Sequence, residues 1–248
     1  MKLKYFHAAS IAALLFLVTA GVAKAQSLVV LPVSVTMAAG QNAAVLTVIN
    51  KGDSETSFQV RAFAWKQTNE GNPTASPDQL AATDELLVSP PLGTIAAGAT
   101  QIVRLVLRRP AQEREASYRI FLDQIPPPAA PGTLRIAIRM SIPVFARPAV
   151  RVASHVQWRI EDRGGQDYLM AFNDGSRHEA VRGIALATAS GGQAQVQANA
   201  SPYILPGATR SWRITASGAP LAPGATLHLT AQGDSAKVDQ QVSVSAGP

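Results

Sequence analysis

Between Leu134 and Val144 the side chains alternate without a break: Leu134, Ile136, Ile138, Met140, Ile142 and Val144 fall on one face, and Arg135, Ala137, Arg139, Ser141 and Pro143 on the other. A period of two describes an extended strand, since a helix would repeat its apolar face about every 3.6 residues. At about 3.3 Å per residue the run would span roughly 36 Å, longer than the usual strand of about five or six residues. Immediately before it, Pro126–Gly132 is stiff and poor in backbone donors, so it cannot pair as a central strand.

The other apolar residues are organised in the same way. Ala44–Ile49, Ser57–Phe63, Gln101–Leu107 and Tyr118–Leu122 are short runs rich in β-branched or aromatic residues. Turn chemistry bounds them, at Ala39-Gly40, Asn50-Lys51-Gly52-Asp53, Glu70-Gly71-Asn72-Pro73 and Ala97-Gly98. No stretch carries a clean helical period, so the chain is expected to be all-β and built as sandwiches. Beyond Arg147-Pro148-Ala149 the pattern restarts, with Val156–Ile160, Tyr168–Phe172, Arg182–Leu186, Trp212–Ile214 and Leu227–Thr230. Two phrases recur in kind: Val48–Asp53 parallels Ala171–Ser176, and Ile95–Leu105 parallels Ile204–Ile214. Two copies of one sandwich plan are expected, over residues 26–147 and 148–248.

Residues 1–25 are read as a secretory signal peptide: Lys2 and Lys4, the apolar run Ile11–Ala23, and the small-x-small cleavage site Ala23-Lys24-Ala25. The run falls short of the roughly 20 apolar residues that a membrane-spanning helix needs, and no second long apolar segment follows. Cleavage after Ala25 leaves 223 of the 248 residues, with no membrane insertion expected. Without Lys2, Lys4 and Lys24 the 22 basic residues fall to 19 against 16 acidic ones, a net +3 in place of +6. The nearest thing to a basic block, Arg104–Arg109, places its arginines among Leu and Val, so a nucleic-acid partner is not expected. Cysteine is absent, although disulfides persist in exported proteins. Stability must therefore come from two cores in domains of about 100 to 120 residues, and cysteine chemistry is excluded.

Little suggests catalysis or metal binding. His7 leaves with the leader, and His155, His178 and His228 have no second histidine at metal-ligand spacing; each reads as a polar residue on a solvated face or loop. Gly52-Asp53-Ser54 and Gly233-Asp234-Ser235 lie between strand-like runs, where these residues supply turn geometry, and lack the strand-to-helix elbow that exposes a nucleophile. Gly164-Gly165 and Gly191-Gly192 precede no helix that could cradle phosphate. Asp84-Glu85 is a lone acidic doublet in a Thr/Ala-rich loop. The remaining functional candidate is the long strand, which can be both core and edge, its N-terminal half presenting apolar side chains to a partner by strand addition.

Three phrases carry a family resemblance: Leu86–Leu105, Glu115–Pro127 with its closing Ile-Pro-Pro, and Leu134–Pro148 with its closing Arg-Pro. In their order and spacing the chain resembles the PapD-like periplasmic pilus chaperones of chaperone-usher pathways. By Ser141-Ile142-Pro143-Val144-Phe145 it resembles their archaic, spore-coat-protein-U-associated branch. The resemblance covers almost all of Gln26–Pro248. It implies two tandem immunoglobulin-like β-sandwich domains, a periplasmic location, pilin subunits and an outer-membrane usher as partners, no cofactor and no metal. It also implies donor-strand complementation, with Leu134, Ile136 and Ile138 as donors and Met140 and Ile142 continuing the face. Better-known members anchor the subunit's C-terminal carboxylate with an arginine and a lysine; those positions fall near Val35 and at Pro143, neither of which can pair with a carboxylate. Substitutes are sought among Arg104, Arg119, Arg139 and Arg147. Arg104 and Arg139 come first as lone cations on apolar strands, while Arg119 and Arg147 could instead pair with Asp123 or Glu115. An exposed apolar edge invites self-pairing, so without a client it is expected to be covered by Pro126–Gly132 or by weak self-association. The rival reading is a tandem-sandwich adhesin or structural pilus component.

Overall fold

The computed structural model describes residues 28–68, 78–126, 132, 136–188, 191–197, 201–215 and 221–246, and its helix-free architecture is β throughout. The leader and the turn expected at 70–73 lie outside the described residues. The first ten strands are β1 (Leu28–Leu31), β2 (Val35–Met37), β3 (Ala43–Asn50), β4 (Thr56–Gln67), β5 (Asp78–Ala82), β6 (Leu86–Ser89), β7 (Leu92–Ile95), β8 (Thr100–Leu107), β9 (Ala116–Ile125) and β10 (Arg139–Ala146). They form two sheets, β1-β3-β8-β6 and β2-β10-β9-β4-β5, with β7 pairing against β4. The edge segment changes sheets: β1 pairs antiparallel with Thr47–Asn50, and β2 pairs parallel with Val144–Ala146.

Alternation builds the core of this first sandwich. Val103, Leu105 and Leu107 point inward from β8, Tyr118, Ile120 and Leu122 from β9, and Ile142 and Val144 from β10. They meet Leu46, Val48, Phe58 and Val60 between the sheets. The long strand expected at Leu134–Val144 is displaced: its ladder begins at Arg139 and continues to Ala146. The cause lies in the partner strand. Gln124 N donates to Ile138 O at 2.9 Å, and the next rung would need an N–H from Pro126, which has none.

The second half comprises β11 (Val156–Asp162), β12 (Asp167–Asn173), β13 (Glu179–Thr188), β14 (Gln193–Val196), β15 (Tyr203–Ile204), β16 (Thr209–Thr215), β17 (Thr226–Gly233) and β18 (Lys237–Ala246). They follow the order β14-β16-β12-β11-β18-β17-β13-β15, and β14 also pairs with β13, so the strands wrap a second core around Ile160, Leu169, Leu186, Trp212, Leu229 and Val242.

The recurring phrases turn out to be one structural device used twice. Asn50 ends β3 fully buried; its Nδ2 donates to Ser54 O at 2.7 Å and Ile95 O at 3.0 Å, and its Oδ1 accepts from Gly52 N at 3.0 Å. Asn173 ends β12 likewise, donating to Arg177 O at 2.8 Å and Ile204 O at 3.0 Å and accepting from Gly175 N at 3.1 Å. Ile95 and Ile204 open the second phrase in each copy. Gly98 N and Gly207 N then donate to the Asn50 and Asn173 carbonyls at 3.0 and 2.7 Å.

Between the sandwiches lies a third apolar cluster of Trp65, Phe145, Leu205 and Ala208, with Tyr203 against it. Gln67 bridges the two, donating to Tyr203 O at 3.1 Å and accepting from Leu205 N at 2.9 Å. His178 is not solvated as expected. It is buried, its ring stacked on Phe145 at 3.6 Å, and Nδ1 is hydrogen-bonded to the buried carboxylate of Glu115. The other two histidines keep exposed positions, each against one carboxylate: His155 with Asp174 and His228 with Asp239. The acidic doublet is likewise structural, with Asp84 bound by Arg108 at 3.0 Å and Glu85 accepting from Tyr118 OH at 3.1 Å.

Candidate functional site

Strand β10 pairs with β9 along its whole length, but β2 covers its other side only at Val144–Ala146. Among the described residues nothing pairs with that side of Arg139–Ser141. In an antiparallel ladder alternate residues direct their backbone groups to opposite sides. Since Ile138 bonds to β9, Met140 and Ile142 do too, and Arg139, Ser141 and Pro143 turn their backbone groups away from it, the first two to the bare side and Pro143 toward β2. The open edge therefore offers N–H and C=O groups at Arg139 and Ser141, while the Pro143 C=O falls to the start of the parallel ladder with Val35. The proline's missing donor falls on the edge side, where it costs the native ladder nothing.

The side chains of this segment divide by position. Ile136 is 76% exposed and Ile138 39% exposed, Met140 is half-buried against the first core, and Ile142, at 3%, is part of it. Leu134 lies outside the described residues. Of the donor face read from sequence, Ile136 and Ile138 stand out into solvent, whereas Ile142 is already committed to the sandwich that carries it.

The cations divide too. Arg139 is not a lone cation: its Nε donates to Asp123, which also accepts from Arg61 Nη2 at 2.7 Å. Burial alone would raise the Asp123 carboxyl, but the hydrogen bonds and charges of Arg139 and Arg61 hold it below its ordinary value. The pairings considered for Arg119 and Arg147 are therefore taken by others, Asp123 by Arg61 and Arg139, and Glu115 by His178. Arg119 lies over the Trp65 ring at 3.7 Å, donates to Ser201 Oγ at 3.2 Å and comes within 3.9 Å of Asp78, all at the interface between the sandwiches. Arg147 is exposed and its N–H donates to Met37 O at 3.0 Å. Arg104 stands exposed on the outward face of β8, opposite Val45 and Ser89, and makes no ion pair among the described residues. It lines an open groove of about 540 Å³ with Pro32, Val35 and Thr36, beside the place where β1 passes into β2.

Among the described residues no cluster of three or more His, Asp or Glu side chains could hold a metal ion. Sequence reading missed the clasp at Asp123 and the interface around Phe145. A signal for the second was present, because Phe145 follows Arg139, Ser141 and Pro143 on the outward face, and a large aromatic there needs another surface to cover it.

The family of pili and flagellar-assembly chaperones, PapD N-terminal domain, matches residues 27–151. No curated protein matches the chain. Among solved structures, the pre-assembly complex of chaperone and tip adhesion subunit from the archaic chaperone-usher Csu pili of Acinetobacter baumannii is similar at 19% identity and a TM-score of 0.62, over 90% of this chain and 100% of that one. The YadV chaperone shares 18% identity at a TM-score of 0.60, over 86% and 98% of the two chains. The complex of the Salmonella enterica SafA pilin with the SafB chaperone gives 18% and 0.57, over 88% and 96%. These likenesses carry the fold, two immunoglobulin-like sandwiches in tandem. With the family match spanning half of the sequence and the bare-edged β10 inside it, the chain belongs to the PapD-type pili and flagellar-assembly chaperones.

Proposed function

We propose that this chain is an exported chaperone that works in the periplasm, lending β10 to a pilus subunit whose own sandwich lacks a strand and passing the loaded subunit to an outer-membrane usher. Residues 1–25 serve as the leader, 26–147 as the strand-lending domain and 148–248 as the second domain. One observation carries the reading: the unpaired side of Arg139–Ser141, preceded by two exposed isoleucines. Full burial of an isoleucine contributes about 1.5 to 3 kcal/mol and each added rung about 0.5 to 1.5 kcal/mol net, set against several kcal/mol of association cost. Leu134 and Met140 extend the same face; Ile142 contributes by shaping the strand from below. The adhesin alternative is disfavoured because β10 completes its own sheet between β9 and β2. The same bare edge supports weak self-association of the free chain.

For the subunit's terminal carboxylate, Arg104 is the first cation to test and Arg139, already held by Asp123, the second. Co-expression with pilus subunits followed by affinity capture tests the whole reading. Ile136→Asp places a charge where an apolar groove is required, at a cost of several kcal/mol, and is expected to abolish capture while the variant melts like the parent. Arg104→Ala should lower the yield. Capture of subunits by Ile136→Asp at the parent's yield would overturn the strand-lending assignment.

A further inference from the structure

We infer that Asp123 is the positioning residue of the lending edge: its carboxylate ties Arg61 of β4 and Arg139 of β10 together across β9 and sets the point from which Ile136 and Ile138 are held out to a subunit. This rests on the strand-lending reading above.

Asp123 occupies the middle strand of the three, directly opposite Arg139 on β10 and Gln59 on β4. Its side chain is only 16% exposed, and each oxygen takes one guanidinium: Oδ2 that of Arg61 at 2.7 Å, Oδ1 the Nε of Arg139. Both guanidiniums are also seated over aromatic rings, Arg139 at 5.1 Å from Phe121 and Arg61 at 5.6 Å from Phe63, and the two rings pack against each other at 5.2 Å. Charge-assisted hydrogen bonds to a half-shielded carboxylate are about twice as strong as neutral ones, and the ring faces add attraction for each cation.

The clasp sits where the strand most needs it. Arg139 is the first residue of the β10 ladder, and just N-terminal to it Gln124 N donates to Ile138 O at 2.9 Å. Pro126 cannot supply the next rung. Strand ends open at little cost, so without the side-chain tie the end of β10 frays from Ile138 inward. A subunit that adds a strand needs a fixed register, because a slip of one residue turns every side chain to the wrong face. Asp123 therefore acts on the lending edge through Arg139, without touching the subunit.

The test uses the whole exported chain in two arms. Amide hydrogen exchange on the free protein reads docking of the strand end, with Gln124 as reporter and Val103 and Leu105 in the opposite sheet as controls. Co-purification with the pilus subunits that the parent captures reads the function. For Asp123→Asn and for Arg139→Gln, Gln124 is expected to exchange at least about tenfold faster with the controls unchanged, and subunit yield to fall about tenfold, as for loss of one charge-assisted tie. Arg139→Lys keeps a cation and should restore most of both. A purely structural role predicts instead that yield falls only with the melting temperature and that Lys rescues nothing beyond it. Should Asp123→Asn not fold, Arg139→Gln at the exposed end of the pair carries the test. Unchanged Gln124 exchange, or parental subunit yield in a folded Arg139→Gln, overturns the inference. A parent that captures no pilus subunit sinks the strand-lending reading, while the exchange arm still decides whether the clasp holds the strand end.

Discussion

Glu179, at the start of β13, shows how a charged residue is kept inside the second sandwich. Its carboxylate accepts from Ser235 N at 2.8 Å, from the hydroxyls of Ser154 and Ser235, and lies 3.9 Å from Arg177. Gly233 makes room for it: a Cβ there would meet Glu179 Oε1 and Ala236 O, each at 2.6 Å. Burial raises the carboxyl, but these hydrogen bonds and the Arg177 charge outweigh it and hold the group below its ordinary 4.5. A folded value below the unfolded one means stability that is present above about pH 4.5 and lost as the pH falls through the folded value. Glu179→Gln is therefore expected to lower the urea midpoint at neutral pH, with the gap to the parent closing as the pH drops below that range. A gap of constant size from pH 7 to pH 3 would show that the carboxylate's charge is not what stabilises this corner.

At the scale of elements, β10 is two strands in one. Its even positions bind β9 and pack inward, while Arg139 and Ser141 direct their backbone groups to the bare side. Removing one outward N–H should weaken strand addition without touching the native ladder. Ser141→Pro does this on an edge, where proline is tolerated, and is expected to leave the melting temperature within a few degrees of the parent while cutting subunit capture about tenfold. Met140→Pro is the contrast. It removes a rung to β9 and breaks an inward position, so it should destabilise the first sandwich by about 3 kcal/mol or more. If circular dichroism melts place both variants together, the alternation assigned to β10 is wrong.

At the scale of the molecule, the same strand that carries the open edge also reaches the second sandwich. Phe145 is 1% exposed, stacks on His178 and joins Trp65, Leu205 and Ala208 between the sandwiches. Phe145→Ala removes a buried aromatic, a loss of about 3 to 5 kcal/mol in a core, and here the loss falls on the contact between domains. Small-angle scattering should show a larger radius of gyration, and calorimetry should resolve two transitions where the parent shows one. A single transition and an unchanged radius would place the coupling in the polar contacts instead, at Gln67 with Leu205 and Glu115 with His178.

Periodicity and turn residues determined the all-β class, the doubling of the sandwich and the strand on which the proposed function rests, because a period of two and a glycine-bearing turn are local constraints that any fold must satisfy. The paired phrases around Asn50 and Asn173 were legible as a repeat for the same reason. What the residues meet across space was decided only in the tertiary structure. Alternation put Ile136 and Ile142 on one face, but whether a face is lent or kept depends on what lies beneath it, and Ile142 lies over the first core. Arg139 read as a solitary cation because its carboxylate stands on the neighbouring strand, 16 residues away in sequence. His178 and Glu115, 63 residues apart, became a buried pair only once two sandwiches closed on each other. Ladder register, strand ends and domain contacts are long-range quantities, set by which backbone groups find partners, and no window of local sequence contains them.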